Sequence, residues 1–377
     1  MTKLARLGVL TAAVLWAVVA YAGDSSCNPW PEWQRFKQLY ISDDGRVVDA
    51  QTQNSTVSEG QAYALMFALI ANDEAAFSKT LQWTRDNLAA GNLEHTLPAW
   101  KWGQAQDGSW KALDQNSASD ADLWMLYALE EAARLWHNPS YAHTAHAMAD
   151  LILQEEIAFV PGLGPTLLPA PKGFVTQETW RLNASYSPLQ IFRAIGGQTH
   201  NRLWDEVLKS SSEVIIGSAP HGYAADWINY RPAQRFITDS QTRGMGSYNA
   251  IRVYLWAGML SSNDSQTKKL LRQFEPVATR VAQQSIPESI DTQTLESHGE
   301  ASAGFSAAML PLLTHFKFVA AVQSYRQRIK TEVLKDNQHY YSDVLALFGL
   351  GWLDGYYRFD PHGYLHVEWT ASCHATH

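Results

Sequence analysis

Two kinds of helix-length segment alternate along this chain. The first kind is apolar nearly all round and rich in small residues; it covers 60–70, 121–135, 188–195, 250–260, 303–313 and 344–352. The second is amphipathic, with its charges gathered on one face, and lies near 31–40, 73–88, 141–155, 201–214, 266–284 and 315–334. A helix without a polar face belongs in an interior, whereas an amphipathic one belongs at a surface. Each apolar segment follows an amphipathic one, which predicts helical hairpins set in a ring: an all-α (α/α)6 barrel of six inner and six outer helices. Periodicity alone leaves an irregular helical bundle open as the plainer alternative. Stretches such as Pro161-Gly162-Leu163-Gly164-Pro165 and Pro169-Ala170-Pro171 are expected as connections at the barrel ends. No linker divides the chain, so 23–377 is expected to form a single domain.

In such a ring the inner helices run parallel, and their N-termini open at one end. Polar side chains remote in sequence then share one cleft. The starts read Ser58-Glu59-Gly60-Gln61, Asn116-Ser117-Ala118-Ser119-Asp120-Ala121-Asp122, Asn183-Ala184-Ser185-Tyr186 and Ser247-Tyr248-Asn249-Ala250-Ile251-Arg252. Glu59 leads an apolar helix, and two readings of it stand. Thr56 and Glu59 have the spacing of a capping box, in which the carboxylate only satisfies backbone donors. Alternatively, burial against Tyr63 and Met66 raises the pKa of Glu59 and keeps it protonated as a proton donor. Asp120 and Asp122 open another helix, where the backbone dipole favours negative charge, but at a spacing of two they cannot face the same way.

Aromatic residues are dense, with 15 Trp and 16 Tyr. Trp100, Trp102, Trp110 and Trp124 cluster near the predicted cleft, Trp102 among polar loop residues and Trp124 on an inner helix. Aromatic faces stack on pyranose rings while carboxylates, Tyr and Arg bond to hydroxyls, so the set suits a neutral polysaccharide. For any single Trp a place in the core is the standing alternative. An acid at Glu59 facing a second carboxylate across a sugar cleft would be a glycosidase.

Charge and export signals narrow the setting. Residues 1–22 carry Lys3 and Arg6, an apolar run from Leu7 to Val19, and Ala20-Tyr21-Ala22 before the mature part, the layout of a secretory signal. The run is short for a spanning helix, which remains the alternative. Losing Lys3 and Arg6 takes the formal charge from −8 to −10, with no basic stripe left, which argues against nucleic acid as a partner. Cys27 and Cys373 are the two cysteines; in an oxidising compartment they are expected to pair and tie the termini together, with two free thiols as the alternative. Neither a metal site nor a cofactor site is predicted, and His143 and His146 read as solvated surface.

Three segments, Val57-Ser58-Glu59-Gly60-Gln61-Ala62-Tyr63, Asn116 to Trp124 and Tyr248-Asn249-Ala250-Ile251-Arg252-Val253-Tyr254, resemble glycoside hydrolase family 8. Within it, they are most similar to the periplasmic endoglucanases that accompany bacterial cellulose synthase. Cys27-Asn28-Pro29-Trp30, Gly304 to Pro311 and Cys373 extend the resemblance over nearly the whole mature chain. It implies an (α/α)6 barrel that hydrolyses β-1,4-glucan with inversion, in the periplasm or secreted, on cellulose or cello-oligosaccharides and alongside the cellulose synthase export complex. By motif match Glu59 would be the general acid, Asp120 would hold the sugar beside the scissile bond, Tyr186 would place the attacking water, and Arg252 would support the base position. The family's N-P-S-Y reads Asn183-Ala184-Ser185-Tyr186 here.

Asn249 is the departure that matters. The matching position in these endoglucanases carries the Asp that acts as general base, and an amide is not basic enough to take a proton from water. Either another acid serves, with Asp239 and Asp226 as candidates that also read as solvated loop acids, or the protein is a weak or inactive glucan-binding variant of the fold.

Overall fold

The computed structural model describes residues 29–335 and 339–372. The expected signal segment, Cys27 and Cys373 lie outside them. Among the described residues the alternation predicted from polarity is present. The outer helices are α1 (Pro31–Tyr40), α3 (Glu74–Leu88), α5 (Pro139–Glu155), α7 (Leu203–Gly217), α9 (Thr267–Gln283) and α11 (Val319–Glu332). They alternate with the inner helices α2 (Ser58–Ile70), α4 (Ser119–Leu135), α6 (Leu189–Thr199), α8 (Ala250–Met259), α10 (Ala303–His315) and α12 (Tyr340–Asp354). The fold is the (α/α)6 barrel.

Every residue of α2 except Glu59 is buried, and α8 and α10 are buried along almost their whole length. By contrast α11 buries only Tyr325 and Ile329. Inner helices pack on inner neighbours, α2 on α4, α4 on α6, α8 on α10 and α10 on α12. Between α6 and α8 the ring is completed by a 3-10 turn, Ala184–Tyr186, which packs on α8 and receives a bond from Trp256 Nε1 to Ser185 O (2.9 Å). Between α12 and α2 it is completed by Phe348, whose ring lies 4.6 Å from Phe67 and 5.2 Å from Tyr63.

Small residues set the helix spacing. A Cβ on Gly349 of α12 would fall 2.0 Å from Ala307 O of α10, and one on Gly258 of α8 would fall 2.3 Å from Leu312 N. These backbones touch, and a side chain at either point would push two inner helices apart. Where the helices diverge at the barrel centre, Trp124 fills the space, with Trp256 at 4.9 Å, Phe348 at 5.2 Å and Tyr63 at 6.1 Å between ring centroids. This aromatic plug closes the barrel and forms the floor on which the cleft rests.

The connections that enter the inner helices are not bare loops. They form four of the five small antiparallel sheets among the described residues, the fifth following the last inner helix. β1 (Thr56–Val57), β2 (Lys101–Gln104) and β3 (Trp110–Asp114) make one of them, and 228–231 and 235–238 form a hairpin in the largest. Pro161 to Leu163, expected as part of a plain connection, is the turn of a hairpin whose strands are Ile157–Val160 and Gly164–Leu167. Strands of two to five residues leave too little alternation to be read from sequence.

Gly349→Ala should lower stability by about 1–3 kcal/mol, because the added methyl meets backbone rather than a movable side chain. A urea midpoint shifted down with an unchanged slope would show it; an unshifted midpoint would mean the two helices are not in contact there.

Candidate active site

Glu59 is not a cap. The helix α2 starts with Val57 as its N-cap and no side-chain cap, while the Thr56 hydroxyl donates to Val47 O (2.6 Å) and accepts from Arg46 Nε (2.9 Å). With the capping box absent, the carboxyl of Glu59 turns to the cleft. Strand pairing of β1 with β2 and the bond from Ser58 N to Trp100 O (2.9 Å) hold Trp100 beside it, and Trp100 Nε1 donates to Glu59 Oε1 (3.3 Å). The other oxygen, Oε2, is buried without a partner. Burial first and the charge of Asp120 second push the Glu59 pKa up to about 8, against the opposing pull of Arg252. An unpartnered oxygen in that setting is where a carboxylic acid carries its proton.

Arg252, one turn into α8 and 8 % exposed, joins the pieces. Its Nη1 donates to Asp120 Oδ2 (2.8 Å) and to Tyr63 Oη (3.0 Å), and its Nη2 donates to Asn249 Oδ1 (2.7 Å). The guanidinium also lies 5.7 Å from the ring of Tyr186. Burial pushes Asp120 up as well, and Arg252 pulls back against it. Asp120 and Asp122 point apart, as their spacing requires. Asp122 is fully buried and faces Glu156, whose Oε1 accepts from Ser117 Oγ (2.5 Å). Burial and then mutual repulsion hold Asp122 well above the carboxylate range, and burial takes Glu156 up to about 8, so this inner pair keeps at least one proton at neutral pH.

A cavity of about 220 Å³ opens over these groups, lined by Val57, Glu59, Gly60, Tyr63, Tyr248, Asn249, Arg252, Tyr340, Tyr341 and Val344. The sequence-predicted Glu59, Asp120, Tyr186, Asn249 and Arg252 are therefore brought together. Tyr340 and Tyr341 were not predicted; they stand at the start of α12, four residues before the apolar run that marked that helix. Tyr341 Oη donates to Tyr248 O (2.6 Å), fixing the segment that carries Asn249.

Two tryptophans need correction. Trp124, expected to bind substrate, is fully buried in the aromatic plug and offers no face to a sugar. Trp102 is half-buried, stacked on Trp110 (5.0 Å, 25°), edge-on to Trp83 and covered by the Arg46 guanidinium at 4.4 Å. The accessible indoles of the group are Trp110 and Trp100, 44 % and 38 % exposed. Both rings lie on or next to the β1–β3 sheet, at the Glu59 wall of the cleft.

The two alternative acids also differ from expectation, since neither is a solvated loop residue. Asp239 is 1 % exposed and gripped by Arg181 Nε (3.0 Å) and Nη2 (3.3 Å), Thr242 N (2.8 Å) and Thr242 Oγ1 (2.9 Å). Burial raises its pKa, but these bonds outweigh it and leave the carboxyl below its ordinary range. Asp226 lies beside Asn249, with Oδ1 accepting from the backbone N–H of Ser247 (2.8 Å), Asn249 (3.0 Å) and Ala250 (2.8 Å). Among the described residues no three His, Cys, Asp or Glu side chains gather to hold a metal ion.

The unfolded chain ionises Glu59 near its ordinary 4.5, while the folded chain holds the proton to about 8. In that window the folded state binds more protons, so stability falls as pH rises. Glu59→Gln should match the parent at pH 4 and exceed it by on the order of 2 kcal/mol at pH 8 after solvent screening. Denaturation midpoints at both pH values measure this, and equal midpoints at pH 8 would mean that the carboxyl ionises normally.

The sequence matches Glycosyl hydrolases family 8 over residues 8–355. It is 42% identical to an endoglucanase of Xanthomonas axonopodis pv. citri (strain 306), over 99% of both chains. It is 39% identical to an endoglucanase of Escherichia coli (strain K12), again over 99% of both. The crystal structure of an endo-1,4-D-glucanase from Vibrio fischeri ES114, 42% identical, superimposes with a TM-score of 0.88 over 90% of this chain and 99% of that one.

Proposed function

The chain belongs to glycosyl hydrolases family 8, and on that premise we propose that it is an endo-β-1,4-glucanase acting on cellulose or cello-oligosaccharides with inversion at the anomeric carbon. The observation that carries this reading is Glu59, a carboxyl that burial keeps protonated at the edge of an open, aromatic cleft. The Glu59 carboxyl donates its proton to the glycosidic oxygen as the bond to the anomeric carbon breaks. Asp120, ionised by its contact with Arg252, accepts hydrogen bonds from sugar hydroxyls at the point where positive charge develops. Tyr186 orients the water on the opposite face, and Trp100 and Trp110 offer rings on which pyranose faces stack.

Asn249 supports a second reading. Its Oδ1 is occupied by Arg252, and its amide takes no proton from water. If Asn249 were the only group at the base position, the rate would fall by about 10²–10⁴ while binding persisted, which describes a glucan-gripping cleft that turns over slowly. Hydrolysis of a soluble cellulose derivative, set beside binding of cellotetraose, separates the two readings.

Export and a place beside the cellulose synthase complex belong to the same proposal. They rest on the sequence of residues 1–22 and on the resemblance of the motifs. No helix of the described residues is long and apolar enough to cross a membrane. N-terminal sequencing of the exported protein should find a start just after Ala22.

Glu59→Gln should lower kcat on cello-oligosaccharides by about 10²–10⁴ with little change in binding. For the parent, kcat/KM should decline as pH rises through about 8, where the acid loses its proton. Unchanged turnover in Glu59→Gln would remove the acid from the mechanism.

A further inference from the structure

An inverting glycosidase must pass a proton from its water to a base, and the amide at residue 249 leaves that step without an obvious acceptor. Several carboxyl groups lie around this segment. Asp120 is committed to Arg252. Asp239 has both oxygens occupied by Arg181 and Thr242. Glu288 is exposed and accepts from the hydroxyl of Tyr248 (2.8 Å). Asp226 is different, because it touches the backbone of residue 249 itself, 3.0 Å from Asn249 N, and of Ser247 and Ala250 on either side.

The hydrogen bonds of Asp226 are one-sided. All three backbone N–H groups converge on Oδ1, and Asp226 N donates to Met245 O (2.8 Å), so the carboxyl is held rigidly against the start of α8. Oδ2 takes none of these bonds, and it is not among the sealed, unpartnered polar atoms of the interior, unlike both oxygens of Asp122. Asp226 is not itself in the lining of the cavity, but Asn249, whose backbone it holds, is. The indole of the next residue, Trp227, lies 6.2 Å from the ring of Tyr186, and Tyr341, which lines the cavity, feels the charge of Asp226. Asn249 complements this arrangement. With its Oδ1 spent on Arg252, its remaining polar group is the Nδ2 amide, a donor able to hold the oxygen of a water while leaving that water's protons to another acceptor.

We propose that Asp226 is the general base of this chain, taking a proton on Oδ2 from the attacking water that the Asn249 carboxamide holds. The proposal rests on the glucanase reading above. In the step, the water oxygen forms a bond to the anomeric carbon and gives one proton to Asp226, while the glycosidic C–O bond breaks and its oxygen takes the proton of Glu59. Exchange with solvent then resets both carboxyls. Asn249 holds the water and transfers no proton.

Asp226→Asn is the decisive variant, because its carboxamide oxygen still accepts the three backbone N–H bonds and keeps the helix start in place. Its kcat on cellotetraose should fall by about 10²–10⁴ with melting temperature and cellotetraose binding little changed. Sodium azide should restore turnover with a glycosyl azide as product, since that nucleophile needs no base. Adding Asn249→Asp to Asp226→Asn should recover hydrolysis, because a carboxylate then stands over the same water. Parental turnover in Asp226→Asn overturns the proposal. So does a loss that neither azide nor Asn249→Asp repairs, which would make Asp226 a helix cap only. A parent that binds cellotetraose but cleaves it only after Asn249→Asp overturns the proposal while leaving the glucanase reading of the fold standing. A chain that neither binds nor cleaves glucan with either residue at 249 removes the reading and the proposal together.

Discussion

One guanidinium among four buried carboxyl groups governs the protonation of the cleft. Arg252 is the cation paired with Asp120, and Glu59, Asp122 and Glu156 lie in the same interior without a cation bonded to them among the described residues. Burying an unpaired carboxylate costs far more than protonating it near neutral pH. The single positive charge therefore favours Asp120 as the ion and leaves Glu59 and at least one of Asp122 and Glu156 as acids. Glu59 is the one of these acids that opens to the cleft. Its hold on a proton follows from the charge count of its neighbours as much as from its own burial.

Arg252 also explains why the cleft residues depend on an intact barrel. Its bonds reach Tyr63 on α2, Asp120 on α4 and Asn249 at the head of α8, three helices that meet only because small residues let the inner ring close. Beneath it the rings of Trp124, Trp256 and Phe348 exclude water, which strengthens every charge interaction above them. A shift of one inner helix would move one partner of the guanidinium and not the others. The close approach of α10 to α12 at Gly349, far from the chemistry, thus bears on the geometry of the cleft.

Much of this was legible in the sequence for one physical reason: a helix with no polar face has only one place to go. That rule located the twelve helices of the ring and the convergence of Glu59, Asp120, Tyr186, Asn249 and Arg252 at one end of it. It failed where polarity and position part company. The start of α12 is polar, Tyr340-Tyr341-Ser342-Asp343, so the apolar run hid the two tyrosines that line the cavity. Trp124 and Trp102 each had the residue type of a sugar platform, but the plug took the first and the Arg46 stack enclosed the second. The Asp122 and Glu156 pair spans a hairpin, and no local pattern connects its members. The small sheets at the cleft were invisible because strands this short carry no period.

A neutral side chain at residue 249 also redistributes charge in a way that favours its neighbour. A carboxylate there would compete with Asp120 for Arg252 and would stand close to the Asp226 carboxyl, adding like-charge repulsion to the burial that already raises Asp226. The amide keeps the bond to Arg252 and adds no negative charge. Asp120 then holds the guanidinium alone as a charge partner. Asp226 then faces three backbone N–H groups and a helix N-terminus, with no second anion in contact.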